Sequence, residues 1–226
     1  MDDRGHELER GTAAAWRGSR SAMRGGAWSE AAIRADPLGF VALRERSLRG
    51  LADMLERIAD GLPHLACPSA TALAATRLRM IARQGASRWP LAAPIAAEEE
   101  LYTLAGASPG VGDMEAQAAL QVVRFARREG SMVCGMAAEL ADALDTFLDA
   151  GHAAEPEALG FGLRACFEAI RRRVDWVEDA IMPLARRRLD PEAATAMGAR
   201  LAAGVAAAPL STRADLLVID GARVRA

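Results

Sequence analysis

The chain reads as all-α: an antiparallel up-down four-helix bundle with a short C-terminal helix and irregular extensions at both ends. Three observations predict this. Apolar residues recur at steps of three and four over long segments, which places them on one face of each helix. The pairs Asp36-Pro37 and Asp190-Pro191 are helix starts, an N-cap followed by proline at the first helical position. Glycine and proline breaks then separate the periodic segments by lengths that suit neighbouring antiparallel helices.

Residues 1–35 are rich in Gly, Arg, Ser and Ala and show no sustained apolar face, so a flexible or loosely docked arm is expected. Trp16 and Trp28 stand out within it, and docking on the domain's own surface or on a partner both remain open. The bundle is placed at 36–207. Its first helix runs from Asp36-Pro37 to about Asp60, where Gly61 and Pro63 end it. A second helical region spans about 69–105, broken or kinked by Gly85, Pro90 and Pro94, with a firm final segment near 95–105. Asp113 starts a third helix to about Ala150, with an apolar line through Leu120, Val123, Gly130, Cys134, Ala137, Ala141, Leu144 and Leu148. Arg127 falls on that line as well. The fourth helix runs from Pro156 to Arg188 with Pro183 near its end, and a short helix follows Asp190-Pro191 to about Ala207. The tail, 208–226, is expected to be extended or irregular.

Three apolar stripes carry a charge. Glu45 lies in line with Leu38, Val41, Leu48, Ala52 and Leu55. Glu98 lies in line with Leu91, Ile95 and Tyr102, and Arg173 lies between Ile170 and Val177. Charges are rarely buried unless paired or bound to something, so these positions are candidates for a site. Elsewhere, the runs 171–173 and 186–188, each Arg-Arg-Arg, are read mostly as solvated faces. Gly130 and Gly135 are unfavourable inside a helix, and allow close approach or leave a small pocket.

Composition narrows the function classes. At 226 residues and 51% hydrophobic, the chain is long enough to bury a sizeable core. No apolar run nears the roughly 20 residues that span a bilayer, and no leader is evident, so a cytoplasmic protein with no membrane contact is expected. The formal net charge is −2, and every basic side chain apart from three histidines is Arg, with no Lys and no Asn. That bias points to a GC-rich bacterial genome rather than a nucleic-acid footprint, because basic residues are not interleaved with aromatics. Cys67, Cys134 and Cys166 are scattered without a C-x-x-C pair, and Cys134 and Cys166 fall on or beside apolar stripes. His6, His64 and His152 lie in the arm, beside a helix end and in a loop, and are read as exposed or capping residues. No nucleophile–base arrangement, phosphate loop or cofactor motif is present, so no enzymatic activity is expected.

The stretch 167–189, FEAIRRRVDWVEDAIMPLARRRL, resembles the last core helix of the haemerythrin-like (HHE cation-binding) domains. The segment 194–201, with Met197-Gly198, is similar to that family's closing helix. The stretch 36–49, DPLGFVALRERSLR, resembles its first helix, and 96–102, AAEEELY, the acidic run after the second-helix His. The resemblance covers about 36–205. It implies a bundle in which His and carboxylate side chains bind a non-haem metal pair, usually iron. Set against that pattern, Glu45 stands in the first-helix His slot, and Pro94 or Ala92 in the second, with Glu98 keeping a carboxylate. Glu129-Gly130 replaces the third-helix acidic–His pair, while Arg173 and Val177 occupy the fourth-helix slots. No slot holds a His.

Two readings of the charges follow. In one, Arg173, with Arg127 as a further candidate, pairs with Glu45 or Glu98 and no metal or other cofactor is held. In the other, Glu45, Glu98 and Glu129 bind non-haem iron or another divalent cation through carboxylates alone. The resemblance accordingly implies a degenerate member acting as an accessory, regulatory or protein-interaction module. Its partner is another protein or a second copy, met through the arm with Trp16 and Trp28. The alternative is a metal-binding sensor of oxygen or redox state, or a storage protein.

Overall fold

A computed structural model describes residues 29–85 and 114–206 of the chain. These residues form α1 (Glu30–Ala35), α2 (Pro37–Gly61), α3 (Pro68–Gly85), α4 (Met114–Ala150) and α5 (Pro156–Trp176). A π-helical turn, Val177–Ile181, continues α5 into α6 (Met182–Arg188), and α7 (Pro191–Ala206) follows. The described residues are all-helical; they contain no strand, and none of their helices is long and apolar enough to cross a membrane.

The helix starts follow from local chemistry. The Asp36 carboxylate accepts from the Gly39 N–H at 2.8 Å, and Asp190 accepts from the Ala193 N–H at 2.7 Å. Each satisfies a backbone donor that the first helical turn leaves without an internal partner. Pro37 and Pro191 open their helices where a missing N–H costs nothing.

Residues 30–35 depart from the expected arm. The Ser29 hydroxyl caps α1 by accepting from the Ala32 N–H at 3.1 Å, and Ile33 is fully buried. α1 packs on α7, where Gly198 lets the two backbones meet: a Cβ there would stand 2.5 Å from the Arg34 carbonyl oxygen and 2.9 Å from its Cα. The remaining arm, with Trp16 and Trp28, lies outside the described residues, as do the tail 208–226 and the segment around Glu98.

Packing among the longer helices closes a circuit. α2 meets α5, α5 meets α4, α4 meets α3, and α3 touches α2. The second helical region ends, as far as it is described, at Gly85. On α4 the buried residues are Ala119, Val123, Ala126, Val133, Ala137, Leu140, Ala141, Leu144 and Phe147. This set shares Val123, Ala137, Ala141 and Leu144 with the expected line, and Gly130 fills the remaining place in the repeat. Leu120, Cys134 and Leu148 of that line are half-buried and Arg127 is exposed, whereas Leu140 and Phe147, which it omitted, are buried. Both flanks of α4 carry apolar residues, so sequence periodicity alone did not choose between them; contact with α3 and α5 does. Gly135 is also exposed, with open space around it.

The fourth expected helix is continuous from Pro156 to Arg188 but not uniformly α. At the end of the π turn the Met182 N–H reaches back five residues to the Val177 carbonyl. Pro183 explains this, since it has no N–H and its ring crowds the carbonyl four residues earlier. A wider turn just before it relieves that conflict.

Substituting Gly198 with Ala or Val should force α1 off α7. We expect a loss of about 1–3 kcal/mol for overpacking, read by chemical denaturation, together with faster amide exchange across residues 30–35. Unchanged exchange there would mean that α1 is not held by this contact.

Candidate functional site: a buried arginine–glutamate pair

Helical spacing sets Glu45 on the inward face of α2, amid Leu38, Val41, Leu51 and Ala52. It sets Arg173 on the inward face of α5, next to Ile170 and Val174. Among the described residues the buried polar side chains are Glu45, Thr71 and Arg173. Thr71 is satisfied locally, its hydroxyl donating to the Cys67 carbonyl at 3.0 Å. The other two meet across the core. Arg173 Nη1 donates to Glu45 Oε2 at 2.8 Å and Nη2 to Oε1 at 3.3 Å. Their side chains are 6% and 1% exposed, so the pair is cut off from water.

The geometry is the two-pronged match between a planar guanidinium and a carboxylate. It links α2 to α5 with direction as well as charge. Gly130 makes room for it: a Cβ on this residue of α4 would sit 3.5 Å from both Cδ and Nε of Arg173. A methyl would fit there in ordinary contact with the arginine stem. The sequence pointed to close approach or a small pocket at Gly130, but not to the side chain that packs there.

Successive residues on a helix point about 100° apart, so the run 171–173 fans outward. Arg171 reaches α2, donating to Glu56 at 2.6 Å and Asp53 at 3.0 Å, and its guanidinium lies 5.0 Å from the centre of the Phe167 ring. These carboxylates raise the Arg171 pKa, and in return its hydrogen bond lowers that of Glu56. Arg172 reaches α4, donating to Glu129 at 3.1 Å. Arg171 and Arg172 are cross-links that stay in contact with solvent, and Arg173 alone of the run is withdrawn from it. Glu45 and Arg173 are brought together; Glu129 turns to Arg172, Arg127 is exposed, and Glu98 lies outside the described residues.

Two openings among the described residues lie away from the pair. A cavity of about 310 Å³ is lined by Met54, Ile58, His64, Cys67 and Phe147. A groove of about 610 Å³ is lined by Met136, Leu140, Phe147, His152 and Phe161. Neither includes Glu45 or Arg173. Among the described residues, no group of three or more His, Cys, Asp or Glu side chains is placed to hold a metal ion.

The cysteines differ in environment. Burial, with neighbouring Cys134 as a smaller cause, pushes the Cys166 thiol up to about 12. Cys67 is exposed at the start of α3, where hydrogen bonds from the Ala70 backbone and the Ser69 side chain lower its pKa. His64 and His152 are exposed, yet the turns that carry them pair through their backbones, a contact the sequence spacing did not suggest.

The chain matches no family model, no curated protein and no solved structure.

Two outcomes follow from this geometry. Arg173→Leu strands the Glu45 carboxylate in the core and should cost about 3–5 kcal/mol, whereas Glu45→Leu with Arg173→Leu should recover most of that loss. Urea denaturation of the single and double variants measures both, and an unchanged midpoint for Arg173→Leu would place the charge outside the core. In thiol labelling at neutral pH, Cys67 should react first and Cys166 only on unfolding; the reverse order would contradict the burial assigned to Cys166.

Proposed function

We propose that the chain is a haemerythrin-like antiparallel four-helix bundle in which an ion pair has taken the place of the metal centre. It acts as a non-catalytic accessory, regulatory or protein-interaction module. The observation that carries this reading is the Arg173 guanidinium, buried and engaged by Glu45 at 2.8 and 3.3 Å. By the resemblance, both residues stand where imidazole ligands would be. A guanidinium keeps its positive charge at any working pH, so it competes with a cation for the same carboxylate.

Two further features support it. The closed circuit of contacts among α2, α3, α4 and α5 is what an up-down bundle of those helices produces. Gly130, in the slot where the resemblance implies a third-helix ligand, offers no donor and instead accommodates the arginine stem. The partner surface we assign to the arm with Trp16 and Trp28, met by another protein or a second copy.

Elemental analysis of the purified full-length protein tests the reading. It should carry no stoichiometric iron and show no oxo-bridged di-iron absorption. Two iron atoms per chain would overturn it.

A further inference from the structure

We propose that His64 and His152 form a chelating pair for one divalent transition-metal ion of the zinc, nickel or cobalt type. The site is separate from the Glu45–Arg173 pair: Gly61, at the end of α2, lies about 24 Å along that helix from Glu45. His64 belongs to the turn between α2 and α3, and His152 to the turn between α4 and α5.

The two turns form a single antiparallel bridge centred on these histidines. Its hydrogen bonds are made by their neighbours: the Leu65 N–H donates to the Gly151 carbonyl at 3.3 Å, and the Ala153 N–H to the Pro63 carbonyl at 3.0 Å. His64 and His152 are thus a non-hydrogen-bonded pair, the arrangement in which opposed Cα atoms approach to about 4.5 Å. Opposed residues of such a pair project from the same face, with Cβ atoms roughly 5 Å apart. Two imidazole nitrogens that each bind a tetrahedral ion at about 2.0–2.1 Å stand roughly 3.3 Å from one another, within reach of that spacing.

The tautomer of one ring is already set. His152 Nδ1 lies 3.0 Å from the Ala150 carbonyl oxygen, which only accepts, so Nδ1 carries the proton. Its Nε2 therefore presents a lone pair. A ring held in this way by a backbone carbonyl is how metal-binding histidines are commonly oriented. Both side chains are exposed, so an ion can enter without opening the core. Water or an outside ligand completes the coordination, since imidazole suits these ions and the two turns supply two donors. Bound metal would staple the two turns at this end of the fold.

Zinc and cobalt titrations of the full-length chain, followed by calorimetry and thermal denaturation, test this. One ion per chain and a raised Tm are expected. His64→Gln and His152→Gln should each weaken binding at least about tenfold, with helical content unchanged before metal is added. Cys67→Ser, which alters a thiol lining the same cavity as His64, should leave affinity unchanged and show no thiolate–cobalt charge-transfer band to lose. Binding that survives either histidine substitution, fails in Cys67→Ser, or saturates at half an ion per chain would overturn the proposal.

Discussion

A charge taken out of water must find an opposite charge and enough hydrogen bonds, or the fold does not tolerate it. Glu45 and Arg173 meet that demand for each other, and much of the architecture is arranged around them. The pair fixes α2 against α5 at one level. Apolar side chains on either side of that level gather separately. One cluster includes Leu51, Leu55, Leu140, Leu144, Leu163 and Ile170, and the other includes Ile33, Phe40, Val123, Ile181, Met197 and Leu201. On α2, α4 and α5 alike, the change from one cluster to the other falls near residues 45, 130 and 173. The polar layer thus marks the level at which the two clusters divide, and it need not add to stability relative to an apolar core.

The outer arginines act differently. Arg171 and Arg172 join α5 to α2 and α4 in water, where screening and side-chain entropy leave such links worth little individually. They surround a connection whose loss is costly with others whose loss is not. Arg49 adds another outer link, to Asp175 and Glu178, just before and within the π turn.

Much of this was legible in the sequence because its causes are local. Asp36-Pro37 and Asp190-Pro191 name their helices through the cap and the proline ring, with no help from the rest of the molecule. The inward placement of Glu45 and Arg173 followed from helical spacing. What escaped was decided between segments. The buried flank of α4 depended on which neighbours it meets, and the docking of α1 depended on a glycine 164 residues after Arg34. The bridge between His64 and His152 needed two helix ends to arrive together. The π turn had a local cause in Pro183, but a proline inside a helix permits several responses, and periodicity does not choose among them.

Gly130 links the buried pair to the history open to this chain. A Cβ at 130 would already touch the stem of Arg173, and losing the positive charge at 173 alone strands Glu45. The three positions are therefore epistatic: each restricts what the others accept. An apolar residue placed at 45 or 173 alone leaves a buried charge without its partner, so the pair resists change one residue at a time.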